Sequence, residues 1–275
     1  MKKKKGGFTN FLLVMILIMG LSLVLYPPIS SYWNSKLQSR VIANYTDSVA
    51  AMDEEEYNKI WYDAIMHNKS LLTRSTDYGL PDEQKEQYDE LLNVAGNGIM
   101  GYVEIPSIHS FLAVYHGTSD SVLQIAVGHL DWSSLPTGGE STHCVLSGHR
   151  GLPSARLFTD LDQLREGDVF MLHILDETLT YEVDQILIVL PNEVNDLVIE
   201  EGKDLCTLVT CTPYGVNSHR LLVRGHRIEN AVEAVTVRVT SDAYRLEPMA
   251  VAAVLFFPIL ILMLTLQAII DRRKK

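Results

Sequence analysis

The chain has 275 residues, 47% of them hydrophobic, and a formal net charge of −11. That length supports one good-sized domain with accessory segments. The acidic balance argues against nucleic acid as a partner, because phosphate binding needs a basic stripe. Setting aside +4 from Lys2 to Lys5 and a net +3 from residues 271–275, the stretch between carries −18, which favours solubility without identifying a substrate.

In chain order, residues 1–7 form a basic tail, and Phe8 to Tyr26 contains FLLVMILIMGLSLVLY without a charge. Nineteen such residues at ~1.5 Å rise cross a ~30 Å hydrocarbon core, so 8–26 reads as a transmembrane helix. The following residues, YPPISSYWNSK, offer no small-x-small cleavage site, which favours an uncleaved anchor over a signal peptide. Residues 27–93 read as a polar helical stem with a loop. Apolar residues recur at helical intervals, and Asp53 is an N-cap candidate with Glu56 three positions on. The stretch TRSTDYGLPDEQ (Thr73 to Gln84) breaks the pattern with Gly79 and Pro81, and a short helix, DEQKEQYDELLN, follows.

From Gly98 the period shortens to that of strands. MGYVEIP, FLAVYHG, HCVLSGH, DVFMLHIL, TYEVDQILIVL, DLCTLVTC and HRLLVRGHRI are short β-branched or alternating runs separated by turn residues. SVLQIAVGHL and LPSARLFTDLDQL read as short inserted helices. Seven or eight strands without βαβ alternation predict a closed or nearly closed β-barrel across 94–230. A linker, 231–248, leads to a second uncharged span, 249–270, which Pro258 kinks without excluding. Residues 271–275 are again basic. Positive charge at both ends places both termini in the cytoplasm and everything between the spans outside.

The chemistry concentrates in TLVTCTPYGVNSHRLLVRGHR (Thr207 to Arg227). Of three cysteines, Cys144, Cys206 and Cys211, an odd count in an exported chain leaves at least one thiol unpaired. No CxxC or histidine pair has zinc spacing, so neither a metal nor another cofactor is expected. A thiolate nucleophile needs a nearby cation, a histidine to move protons, and a donor at the oxyanion. Cys211, His149 and Arg220 are candidates for these roles. Taken singly, none is persuasive: a lone cysteine is usually a packed structural thiol, a turn histidine usually caps or packs, and an arginine usually pairs on the surface.

Their context decides between those readings. LVTCTP with a downstream arginine, and SGHRG upstream, resemble the active-site segments of sortases, the cysteine transpeptidases of Gram-positive surfaces. GNGIMGYVEIPSI, GTSDSVLQIAVGHLDWSSLPTGG and THCVLSGHRGLPSARLFTDLDQLREGD look specifically like class C, the pilin-polymerising branch. The resemblance implies a closed eight-stranded sortase-type barrel. It also implies that Cys211 attacks the Thr–Gly amide of an LPxTG-like sorting signal. His149 then protonates the leaving amine, Arg220 stabilises the oxyanion or positions the signal, and a lysine of the next pilin subunit resolves the thioester. Thr210 is a candidate substrate-binding hydroxyl or a strand-filling residue. Arg224 shares the face of Arg220 but lies about 13 Å along at ~3.3 Å per residue, while Arg227 points to the other face.

Class C enzymes often carry a lid with an Asp-Pro-aromatic motif. Here Asp77 and Tyr78 lie in the corresponding region with no proline between them, giving either a degenerate lid, with Asp77 on Arg220 and Tyr78 over the cleft, or a plain acidic loop. Cys144 and Cys206 each precede a catalytic candidate by five residues. An odd offset reverses the face of a strand. With the two strands parallel neighbours, as in sortases, both thiols should meet, buried, on the far face. A disulfide there would need unusual cross-strand geometry. His129 and His143 are assigned packing roles and His226 is read as strand filler. The alternatives to pilin polymerisation are attachment of proteins to peptidoglycan and a catalytically idle surface-binding domain.

Overall fold

The structure, a computed structural model, describes residues 6–73, 79–80 and 82–230. The chain divides between Tyr32 and Trp33 into two units. Of the first, the described residues are 6–32, the opening stretch of helix α1 (Gly6–Ala50). Leu13, Ile16, Met19, Leu23 and Val24 are exposed there, and an 18-residue window of the helix has a mean hydropathy of 2.1 with none of it buried. A helix apolar all round with this window unburied is a candidate membrane anchor, the one such helix among the described residues. The helix runs through Pro27 and Pro28, which remove two N–H donors. The stem boundary expected there is therefore not a break in the backbone. The second span at 249–270, its linker and both charged tails lie outside the described residues.

The second unit begins at Trp33. In the last turns of α1, Gln38, Ile42 and Tyr45 are buried, a spacing of four and three that sets them on one face. Ile42 and Tyr45 pack with Ile99 and Ala113. Tyr45 Oη donates to Met100 O at 2.9 Å and accepts from Leu175 N at 2.7 Å. Gln38 accepts from Ala113 N at 2.9 Å and donates to Ile125 O. Helix α2 (Glu54–Leu71) starts as the sequence predicts. Asp53 accepts from Glu56 N at 2.9 Å, with three glutamates at the positive end of the helix. Helix α3 (Asp82–Glu90) buries Tyr88.

Seven strands fall where the alternation places them: β1 (Ile99–Ile105), β2 (Ser110–His116), β4 (Thr142–Ser147), β5 (Val169–Ile174), β6 (Glu177–Val189), β7 (Asp204–Thr212) and β8 (His219–Ile228). The eighth, β3 (Val127–His129), lies inside SVLQIAVGHL, which reads as a helix from its sequence. Only Asp120–Leu123 is helical there, as α4. Gly128 explains the difference, since a Cβ on it would lie 2.2 Å from Gly117 O. The missing side chain lets β3 close against the segment after β2 while pairing parallel to β2 itself.

LPSARLFTDLDQL also departs from its predicted helix. It holds one 3₁₀ turn, Leu161–Gln163, and Leu157 has φ 40°, a left-handed value that ends any helix. Ala155, Phe158, Leu161 and Leu164 imitate helical spacing because each enters the barrel core separately.

The strands close in the order β1-β2-β3-β4-β7-β8-β6-β5. β2/β3 and β4/β7 are parallel, and the other neighbours are antiparallel. Leu146, Phe158, Phe170, Leu172, Leu208 and Val223 fill the main core. Val145, Val209 and Leu222 face the other way and pack beneath Leu197, with Trp132 and Val189 alongside. This second layer lies on the same face of β7 as Cys211, because residues 209 and 211 share parity.

Replacing Tyr45 with Phe keeps the ring but leaves the Leu175 N–H buried without its acceptor. A loss of about 1–3 kcal/mol is expected, read as a lower denaturant midpoint with an unchanged slope.

Candidate active site

Strand β7 alternates Cys206, Leu208 and Thr210 into the barrel with Thr207, Val209 and Cys211 on the opposite face. Cys211, next to last in the strand, is half-buried, whereas Thr210 is 2% exposed. Across the antiparallel β7/β8 pair, Cys211 stands directly opposite Arg220. Opposite residues share a face with Cα atoms about 4.5–5.5 Å apart, so the thiol and the guanidinium leave the sheet together.

The histidine arrives from the other side of β7. The parallel β4/β7 register runs unbroken from Thr142 opposite Asp204 to Ser147 opposite Val209. Gly148 N extends it by donating to Val209 O at 3.0 Å. The turn carrying His149 therefore leaves β4 beside the end of β7. Cys211 and Arg220 stand opposite each other on one side of β7, and the His149 turn lies on its other side. The segment carrying His149 is held from both sides. Thr210 Oγ1 donates to Gly148 O at 2.7 Å, so its hydroxyl is engaged inside the protein. Phe158 N donates to His149 O at 3.1 Å. A Cβ on Gly148 would lie 2.6 Å from the Phe158 ring, so only glycine lets that ring pack beneath the turn.

The three arginines of β8 have different surroundings. Arg224 is consumed by carboxylates, Asp184 at 2.9 and 3.1 Å and Glu200 at 3.1 Å. These hold its guanidinium pKa above the ordinary arginine value, Asp184 most strongly. Arg227 lies over the Tyr181 ring at 5.9 Å and 4.0 Å from Asp204. Arg220 donates to two turn carbonyls, Asn217 O at 3.3 Å and His219 O at 3.1 Å. No carboxylate among the described residues pairs with it. Its positive charge remains available beside Cys211.

A family model described as the sortase domain matches residues 103–228. Sortase C1 of Streptococcus agalactiae is 53% identical, with a TM-score of 0.68, over 70% of this chain and 100% of that one. The chain belongs to the sortase family. It is also similar to sortase C of Clostridium perfringens, solved with the C-terminal cell wall sorting motif. There the identity is 43% and the TM-score 0.62, over 70% of this chain and 100% of that one. Sortase A of Streptococcus agalactiae serotype III is 27% identical over 227 residues, 77% of this chain and 83% of that one.

In this sortase the spare thiols lie where strand parity predicts. Cys144 and Cys206 stand opposite each other across β4 and β7, both buried and unlinked. Burial raises the pKa of both thiols. Hydrogen bonds from Cys206 and His129 oppose that effect at Cys144. The lid candidates Asp77 and Tyr78 lie outside the described residues.

His129 Nε2 faces Ser134 O at 2.9 Å and its Nδ1 meets Tyr88 Oη at 2.8 Å, a packing role. His143 Nδ1 donates to Val198 O at 2.8 Å, so its Nε2 accepts from Thr207 Oγ1 at 2.7 Å. His226 lies 3.9 Å from Asp184.

Arg150, passed over in the sequence, is the site's unforeseen residue. Its guanidinium pairs with Asp162, reaches Thr212 Oγ1 at 3.4 Å and lies 5.9 Å from the Tyr214 ring centroid. Its only advance signal is position, a charge directly after His149 in a glycine-flanked turn.

The neutral His143 tautomer has a pH consequence. Burial lowers its pKa below the ordinary histidine value, so its stabilisation is fully present above the unfolded value of ~6.5. That contribution is lost as pH falls through 6.5 toward the folded value, by at most about 1.4 kcal/mol per pH unit. Denaturant unfolding between pH 7.5 and 5.5 should show the decline, and His143→Asn should flatten it.

Proposed function

We propose that this sortase is a class C transpeptidase that joins pilin subunits. Supporting the reading above all is Cys211 opposite Arg220, which no described carboxylate claims, with the turn carrying His149 leaving β4 on the other side of β7. The thiol gives its proton to His149, and the Cys211 sulfur attacks the carbonyl carbon of the Thr–Gly amide in an LPxTG-like signal. The tetrahedral oxyanion draws on the Arg220 guanidinium. As the C–N bond breaks, His149 protonates the departing glycine amine, leaving a thioester between threonine and Cys211. A lysine amine of the next subunit loses a proton to His149, adds to the thioester and expels the sulfur, forming an isopeptide bond.

In the same proposal α1 anchors the enzyme in the membrane, with Lys2 to Lys5 on the cytoplasmic side, the barrel outside, and 249–270 returning the chain to the membrane. Similarity to a protein named sortase A supports a second acceptor, a cell-wall peptide amine, attacking the same thioester.

Full-length enzyme incubated with candidate pilins should build covalent ladders. Cys211→Ala should build none, His149→Ala should be slower by at least ~10²-fold, and Arg220→Ala by about 10²–10³-fold. Ladders from Cys211→Ala would end the proposal. An acyl-enzyme that takes only cell-wall amines would move it to the anchoring reaction. No acyl-enzyme with a sorting-signal peptide would leave an idle binding domain.

A further inference from the structure

The β4/β7 ladder ends at Gly148 N to Val209 O, short of both His149 and Cys211. Beyond that bond the two segments are no longer tied by backbone pairing, although proton transfer between them needs a reach of about 3 Å. Arg150 spans this gap. It follows His149, yet its guanidinium reaches Thr212 Oγ1, one residue past Cys211, at 3.4 Å. The Tyr214 ring, two residues further, sits 5.9 Å from its central carbon. Asp162 fixes the opposite edge of the fork.

The side chain is only 10% exposed, so it is packed into this position. Gly151 supports the same junction. It has φ +76°, and a Cβ on it would lie 2.8 Å from the Tyr214 ring, so the Tyr214 ring rests directly on its backbone.

We infer that Arg150 is the positioning residue that holds His149 and Cys211 at proton-transfer distance, through its grip on Thr212, Tyr214 and Asp162. Arginine suits the task because one planar group offers a nitrogen to a hydroxyl, a second to a carboxylate and a flat cationic face to an aromatic ring. Lysine keeps the charge but not the fork. The two segments can then separate without any loss of net charge, and a separation of a fraction of an ångström is costly in a proton-transfer geometry. The inference rests on the roles proposed for Cys211 and His149.

The test compares wild type, Arg150→Lys, Asp162→Asn and Tyr214→Leu as full-length enzyme on a sorting-signal peptide with a lysine-bearing acceptor. Arg150→Lys should lower kcat by about 10–100-fold with KM for the signal changed less than about twofold. It should also shift the pH profile of kcat/KM and of Cys211 alkylation, since the imidazole no longer meets the thiol proton at a fixed distance. Asp162→Asn and Tyr214→Leu should do the same more weakly. Combined with Arg150→Lys they should be non-additive, because all three disrupt one linkage.

Arg150→Lys with wild-type kcat and an unmoved pH profile would overturn the inference, as would a purely KM effect. If Arg150→Lys does not fold, Asp162→Asn decides alone by the same two readouts. If Cys211→Ala retains activity, the catalytic reading itself fails. If Cys211→Ala is dead while Arg150→Lys and Asp162→Asn match wild type, only the positioning role fails.

Discussion

The parallel pairing of β4 with β7 is the constraint on which the rest of this sortase depends. Six consecutive residues of each strand stand opposite one another without a bulge. A slip of one residue would turn every side chain of β7 to the other face. Cys211 would then enter the barrel and Leu208 would leave it. The same register places the histidine segment beside the end of β7 and the two spare thiols against each other in the interior. The antiparallel β7/β8 pairing adds Arg220 from the opposite side. Backbone hydrogen bonding therefore sets Cys211 against Arg220 and brings the turn that carries His149 to the end of β7.

Charge is arranged as carefully as register. β8 carries arginines at 220 and 224 on one face and at 227 on the other, and two free cations on the face of Cys211 would be electrostatically ambiguous as an anion site. Asp184 and Glu200 occupy Arg224, and Asp204 with the Tyr181 ring occupies Arg227. The remaining guanidinium, Arg220, stands opposite Cys211 across β7 and β8. Acidic residues next to the site thus define it by removing competitors, consistent with the strongly acidic character of the chain.

Much of this was legible in the sequence because strand periodicity carries face information. The alternation of β7 and the five-residue offsets before His149 and Cys211 suffice to send Cys144 and Cys206 inward, once the two strands are taken as parallel. What was not legible depends on contacts between distant segments. β3 is three residues long, too short for a period to register, and exists because Gly128 admits the Gly117 carbonyl. The run from Ala155 to Leu164 imitates a helix because its apolar side chains happen to enter one core at three-residue intervals. Arg150 had no pattern at all, since its partners Thr212, Tyr214 and Asp162 come together only when two turns meet.

The paired thiols behind the active site give the barrel a built-in strain gauge. Cys144 and Cys206 are sealed within the main core and stand on the two strands whose registration aligns the chemistry. A small electrophile would meet them only if β4 and β7 parted, whereas the half-buried Cys211 needs no such opening. Labelling of the inner pair would thus report the breathing of the seam separately from the exposure of Cys211.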